Sequence, residues 1–405
     1  MVNLFQYDTR STFDIYTLKH KYMYENDKLK YIIIRNEPLL TINIKCMKLK
    51  YYHNLDGIRG IAALMVVVFH FFLSKNSDYL TNLILYQKAT EFGQHGVSLF
   101  FVLSGFVITR ILIKTRKNSD YFSNFYKRRA LRIFPLYYLF LFVFYFFLPL
   151  VQNSKVTEFK LQLPLYFYIQ NFTEILNIKA SGPGHYWSLA VEEHFYLLWP
   201  VVILLVNPKN IGKLIGISFL LIIVLKYFML NKGLSINYFT FTRIDQIMMG
   251  AYLSILELNG FFSRKGALKK MILIGLSIFP IGALIYFFSD HFYYLKEIMK
   301  YPILALFFFS LIGSLITLNE NNIINRLLSG KFLQYLGRIS YGIYVWHILA
   351  LNILSEFFIL KILIIDLMLT FCLTITLAHL SYFYFEKYFL SFKDKNITFK
   401  TKRKN

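Results

Sequence analysis

The chain has 405 residues, of which 56% are hydrophobic and 19% aromatic, and a formal net charge of +23 at pH 7. That apolar share exceeds what a soluble domain of this length needs and points to a polytopic membrane protein. Cys46 and Cys372 are the only cysteines, so neither a disulfide framework nor a thiolate metal cluster is available. With no internal repeat, low-complexity tract or separate soluble catalytic domain visible, any chemistry must lie in the bundle and its loops.

The first 46 residues are polar, rich in Lys and Tyr, and lack the apolar core and small-residue cleavage site of a secretory signal. Two readings stand for them: a disordered cytosolic tail, or a segment upstream of a start at Met47, which leads through "KLKYYHNLDGIRG" into the first apolar run. From residue 57 onward, ten runs are long enough to cross roughly 30 Å of hydrocarbon. They lie at 57–73, 94–113, 133–151, 187–206, 212–230, 244–258, 271–289, 302–318, 338–359 and 362–385. The expected fold is an all-α membrane bundle of about ten helices. Its membrane domain would cover residues 47–390, followed by a basic tail at 391–405.

Charge placement sets the sidedness, because short cytoplasmic loops retain Lys and Arg. The segment "KTRKNSDYFSNFYKRRALR" carries Lys114, Arg116, Lys117, Lys127, Arg128, Arg129 and Arg132, and is expected to face the cytoplasm. Alternation then places Lys209 and Lys213, the basic group from Arg264 to Lys270, the group Arg326, Lys331 and Arg338, and the tail "KTKRKN" on the same side. Both termini are therefore expected inside.

The first span opens "LDGIRGIAALMVVVFH", with three ionisable residues where lipid disfavours them. Arg59 and His70 are eleven residues apart, which brings them within about 20° of each other on a helix, separated by a rise of roughly 16 Å. They share a face at two depths, the geometry of a lined passage. Read blandly, Asp56 caps the helix, Arg59 anchors it at the interface and His70 sits near its C-terminal end. Ionisable groups at membrane depth are costly and usually functional, which favours a task for His70.

In the second span, Gly93, Gly96 and Gly105 with Ser98 and Ser104 form a small-residue surface suited to close helix packing. His95 is placed at the outer mouth. Next, Arg129 and Arg132 fall at i and i+3 on one helical face, and guanidinium forks suit phosphate oxygens. Contact with anionic headgroups suffices for Lys127 and Arg128.

The densest constellation is "GPGHYWSLAVEEHFYLLWP" at 182–200. Ser188, Glu192 and Tyr196 recur every four residues on one face, with Glu193 about 100° round. Two adjacent carboxylates in an apolar helix are improbable as packing alone, since each must find a partner or a proton. Later spans say less. Arg243 and Asp245 stand at the outer end of the sixth, Tyr341, Tyr344 and His347 in the ninth, and His379 and Glu386 near the last.

Five motifs, "LDGIRGIAALMVVVFH", "GVSLFFVLSGFVIT", "RRALRIFPLYY", "WSLAVEEHFYLLWP" and "LGRISYGIYVWH", occur in the order found in acyltransferase family 3, and the chain resembles that family. The match is strongest over residues 54–200. The resemblance implies a bundle of about ten helices that moves an acyl group, commonly acetyl, from cytoplasmic acyl-coenzyme A to a hydroxyl of an extracytoplasmic or lipid-linked saccharide. It places the family's first-helix pair on Arg59 and His70, its RxxR pair on Arg129 and Arg132, and its Trp-Ser-Glu patch on Trp187, Ser188, Glu192 and Glu193. His194 stands where relatives usually have Gln, and Lys387-Tyr388 replace an Arg-Pro after the glutamate matched to Glu386. Some relatives carry an appended esterase-like domain that is absent from this sequence, so a second acyl-handling step is expected to need a partner.

Acyl transfer from a thioester to a hydroxyl needs a base, donors for the developing oxyanion and an anchor for the coenzyme phosphates. His70 is the expected base or proton shuttle, with Glu192 or Glu193 orienting its ring as the acid does in a triad. Arg59, Arg129 and Arg132 are expected to hold acyl-coenzyme A. Asp56, Trp187, Ser188, Tyr196 and His347 are expected to bind substrate or support the site. The expected partners are membrane lipid, the saccharide acceptor and a separate envelope glycan-assembly protein, with neither a metal nor nucleic acid among them. The bacterial cell membrane is the expected location. A rival reading is an ion-coupled transporter or exporter of a glycan precursor, since intramembrane Arg, His and Glu mark carriers too. A third is a non-enzymatic subunit of an envelope complex.

Overall fold

The computed structural model describes residues 49–74, 84–287, 293–357 and 363–393. The chain divides into units 1–48 and 49–405, and all of the described residues belong to the second. The expected N-terminal extension, residues 394–405 of the expected tail and both termini lie outside the described residues.

Ten helices of 18 residues or more stand at the ten expected positions. They are α1 (His53–Ser74), α2 (Ile84–Thr115), α3 (Tyr121–Phe142), α4 (Trp187–Leu205) and α5 (Pro208–Asn231). The remaining five are α6 (Thr240–Leu258), α7 (Ala267–Phe287), α8 (Tyr293–Thr317), α9 (Lys331–Phe357) and α10 (Leu363–Leu380). Helices α3 and α10 each continue through a π-helical turn, Val143–Phe147 and Ser381–Glu386.

Among the described residues eight helices, not ten, are long and apolar enough to cross a membrane. Helices α6 and α9 are the two that fall short. The reason for α6 lies in its position: Arg243, Asp245, Gln246 and Ser254 are all buried along it, against α2, α5 and α8. A helix enclosed by protein does not need an apolar face for lipid. Helix α7 shows the opposite, turning Leu276 and Phe279 outward at 65% and 69% exposure.

The basic segment expected as a loop is mostly helix. Only residues 116–120 form the turn, and α3 begins at Tyr121, so Lys127 to Arg132 ride on its first three turns. This lifts Arg129 and Arg132 off a solvated loop and fixes them against the bundle.

Close approaches set which helices meet. A methyl group added at Gly105 of α2 would lie 1.8 Å from the Ile247 carbonyl oxygen, and one at Gly250 of α6 would lie 1.9 Å from that of Val102. Gly337 of α9 meets the Asp56 carbonyl in the same way, at 2.0 Å. Any side chain at these crossings would drive backbones apart, as expected where small residues mediate membrane helix packing. The small-residue surface of α2 in fact serves two neighbours: Gly93 and Gly96 face α1, whereas Gly105 faces α6.

Two ion pairs hold α6 in place. Lys226 of α5 meets Asp245 at 2.5 Å with side-chain exposures of 0% and 1%. Arg110 of α2 meets Glu257 at 2.9 Å, and the Tyr52 hydroxyl donates to the same carboxylate at 3.0 Å.

Candidate active site

Five helices converge on a cavity of about 120 Å³. Arg59 comes from α1, Ser104 from α2, Arg129 and Arg132 from α3, Ser188, Glu192, Glu193 and Tyr196 from α4, and Tyr341 and Tyr344 from α9. The i, i+3 spacing of the arginines and the i, i+4 spacing of Ser188, Glu192 and Tyr196 turn each set toward one side of its helix. The loop Gly182-Pro183-Gly184 passes through one 3₁₀ turn into α4 and so starts that face at Trp187.

Within the cavity wall, the Tyr196 hydroxyl donates to Glu192 Oε2 at 3.0 Å and lies 2.5 Å from Ser104 Oγ. The Arg129 guanidinium sits over the Tyr196 ring, 5.8 Å from its centroid. Arg129 Nε and Glu193 Oε1 are buried without a hydrogen-bond partner among the described residues. Among those residues no ion pair engages Arg129, Arg132, Glu192 or Glu193. Buried polar atoms are normally satisfied, so Arg129 Nε and Glu193 Oε1 in particular are atoms to which a ligand can bind.

Arg59 pairs with Asp56 at 3.5 Å, one turn away on α1. Asp56 is the fourth residue of α1, so the expected cap is corrected: its carboxylate orients Arg59 rather than closing the helix end. Tyr51, just before the helix, donates its hydroxyl to Asp56.

His70 does not line this cavity and does not meet the glutamates. Both of its hydrogen bonds use Nδ1, to the Val66 carbonyl at 3.0 Å and to His347 Nε2 at 3.1 Å. The expectation that Glu192 or Glu193 orients the His70 ring is corrected: neither glutamate reaches it, and the side chain hydrogen-bonded to it is that of His347, fully buried on α9. A third imidazole, His185 from the loop before α4, lies 4.8 Å from the His347 ring and 6.2 Å from that of His70. Ser188 and Tyr344 join the cavity to this cluster. Their hydroxyls are hydrogen-bonded to each other. The Tyr344 hydroxyl also donates to the His185 carbonyl at 2.6 Å, and the Tyr344 carbonyl accepts from His347 Nδ1 at 2.7 Å.

Trp187 stands apart from both groups. It packs edge-on to Phe101 and Tyr238, with the Arg243 guanidinium 5.0 Å from its ring. His194 meets the Thr240 hydroxyl at 2.7 Å, and His379 meets that of Tyr335 at 2.8 Å. Glu386 is buried and accepts from Ser381 at 3.2 Å. Sequence reasoning misses His185 and Lys226. The first has a visible signal, as a histidine directly after a Gly-Pro-Gly turn that begins a carboxylate-bearing helix.

The family model described as the acyltransferase domain, of acyltransferase family 3, matches residues 52–383. The O-acetyltransferase OatA of Staphylococcus aureus strain NCTC 8325 / PS 47 is 26% identical over 362 residues, covering 83% of this chain and 57% of the relative. SACOL0978 of S. aureus strain COL, provisionally named an O-acetyltransferase, is 27% identical over 372 residues, covering 84% of this chain and 58% of the relative. The chain thus spans a little over half the length of these relatives. No solved structure matches. With a family match that runs from the start of α1 into the π-helical turn after α10, and with its charged motifs gathered at one cavity, the chain belongs to acyltransferase family 3.

Proposed function

We propose that this membrane protein is an O-acetyltransferase that takes its acyl group from cytoplasmic acyl-coenzyme A and delivers it to a saccharide hydroxyl on the far side of the bacterial cell membrane. The observation that carries this reading is the arginine group at the cavity: among the described residues Arg129 and Arg132 lack carboxylate partners, and Arg59 has only Asp56. Unpaired guanidinium groups suit a ligand with several phosphates. The basic turn at 116–120 and the first turns of α3 favour the cytoplasmic side for that end of the bundle.

In this reading Arg59, Arg129 and Arg132 hold the coenzyme phosphates, and His70 lies at the acceptor end of the same helix as Arg59. His70 takes the proton of the acceptor hydroxyl as the new C–O bond forms. The thioester C–S bond breaks, and the proton passes to the departing thiolate, so the products are an ester and a free thiol. Trp187 lies on the acceptor side, where an aromatic face can bind a sugar ring. The acceptor, membrane lipid and a separate envelope glycan-assembly protein are the partners proposed.

The O-acetyltransferase names of the relatives favour transfer over transport. The test is thiol release from acetyl-coenzyme A by the purified full chain in lipid nanodiscs, with and without soluble oligosaccharides. Release that depends on the saccharide and on His70 is expected. Release no greater than that of His70→Gln protein, or movement of intact acetyl-coenzyme A across proteoliposomes, would overturn the reading.

A further inference from the structure

His70 and His347 form a hydrogen-bonded pair whose proton positions follow from their other neighbours. The His347 Nδ1 atom lies 2.7 Å from the Tyr344 carbonyl oxygen. A carbonyl oxygen can only accept, so Nδ1 of His347 carries the proton and its Nε2 keeps a lone pair. The same logic applies to His70, whose Nδ1 lies 3.0 Å from the Val66 carbonyl. Its Nδ1 therefore carries a proton as well, and that proton is shared with His347 Nε2 at 3.1 Å. The Val66 carbonyl accepts the backbone N–H of His70 within α1 and has a second lone pair for the ring, so the His70 Nδ1–H is shared between the Val66 oxygen and His347 Nε2.

We infer that His347 is the positioning residue for His70: its Nε2 accepts the His70 Nδ1–H, which fixes the ring and leaves His70 Nε2 as the only basic nitrogen of that imidazole. This rests on the reading of His70 as the proton-transfer group. The assignment explains why a fully buried histidine stands on α9 beside the first helix. When His70 Nε2 takes the acceptor proton, the positive charge spreads onto Nδ1–H, and its hydrogen bond to His347 becomes charge-assisted and stronger. His347 serves here as a neutral counterpart to the carboxylate of a triad. The Tyr344 segment links this pair to the cavity, because its carbonyl fixes His347 while its hydroxyl holds Ser188. His185 sets the third side of the pair, with its ring edge-on to both imidazoles.

The experiment is solid-state NMR of the full chain, labelled with ¹⁵N in its histidine rings and reconstituted in lipid. A ¹⁵N–¹⁵N correlation between a protonated Nδ1 and an unprotonated Nε2 is expected, and it should vanish in both His70→Gln and His347→Gln protein. Both residues should show the Nδ1–H tautomer. An Nε2–H tautomer at either one, or no such correlation in a folded sample, overturns the inference without touching the acyl-transfer reading. Rates supply the second arm. His347→Leu, which removes the acceptor, should slow acetyl transfer about ten- to a hundredfold with the Michaelis constant for acetyl-coenzyme A unchanged. His347→Gln can place an amide oxygen near the lost Nε2 and should restore most of that rate. Equal rates for Leu and Gln variants overturn positioning by His347, whereas full activity of His70→Gln overturns the acyl-transfer mechanism instead.

Discussion

Lys226 and Asp245 lie 2.5 Å apart with almost no exposed side-chain surface, and Arg110 is held just as firmly by Glu257 at 2.9 Å. Arg129 and Glu193 are only half-buried, yet each keeps one buried polar atom with no hydrogen-bond partner among the described residues. The first set consists of charges that found one another during folding. The second consists of charges of both signs around one cavity, brought close without being allowed to pair. Complete pairing fixes a helix contact, whereas incomplete pairing at a cavity leaves hydrogen-bonding capacity that a ligand or water can use. Buried charge alone therefore does not mark a site, and neither does a missing partner, since Arg243 Nε lacks one too among the described residues; what distinguishes Arg129 and Glu193 is that they also line the cavity.

This contrast is broken most severely at the paired charges. Lys226→Met leaves the buried Asp245 with the Gln246 backbone N–H but without its ammonium partner, and should destabilise the protein by about 3–5 kcal/mol. The check is thermal unfolding in detergent followed by size-exclusion fluorescence. The double change of Lys226→Met with Asp245→Leu should recover most of the loss, since an apolar pair of similar volume needs no compensation. Failure to recover would mean that this pair does more than hold α5 to α6.

The cavity should respond in the opposite way. Changing both Arg129 and Arg132 to Gln removes charges that have no carboxylate partner among the described residues, so the unfolding temperature should hardly move. The Michaelis constant for acetyl-coenzyme A should instead rise at least about tenfold, since each charged hydrogen bond to phosphate contributes roughly 1.5–3 kcal/mol. A fall in unfolding temperature with equal weakening of donor and acceptor would place these arginines with the structural pairs. A smaller effect is expected at the helix entrance. Tyr51→Phe removes the donor to Asp56 at an exposed position, and should cost about 1 kcal/mol or less in stability, with a modest rise in the same Michaelis constant.

Most of the helices are legible in the sequence because apolar runs of membrane length have few other uses. Most of the cavity is legible too: Arg129 with Arg132, and Ser188 with Glu192 and Tyr196, share faces by spacing alone. What spacing cannot supply is the identity of the neighbour across each face. Glu192 and Glu193 look like partners for His70 in the sequence, but α4 presents them to the arginines and Tyr196, and α9 brings His347 to His70 from 277 positions away. Lys226 is inconspicuous in an apolar run because its partner is on the next helix, 19 residues on. As a stretch of sequence α6 reads as one more lipid-facing span, although burial on several sides accounts for its polar residues. Spacing defines a face, and tertiary packing decides what it meets.

Proton transfer by His70 is the step on which the chemistry depends most. The direct measurement is acetyl transfer by His70→Gln protein that inserts normally, unfolds at the wild-type temperature and still binds coenzyme A. Glutamine keeps hydrogen-bonding capacity near the lost ring but cannot act as a base near neutral pH. A proton-transfer group contributes about 10²- to 10⁴-fold in rate, so a loss of at least about a hundredfold in turnover is predicted, with donor binding unchanged. Turnover within a few-fold of wild type in that well-folded variant would contradict a proton-transfer role for His70.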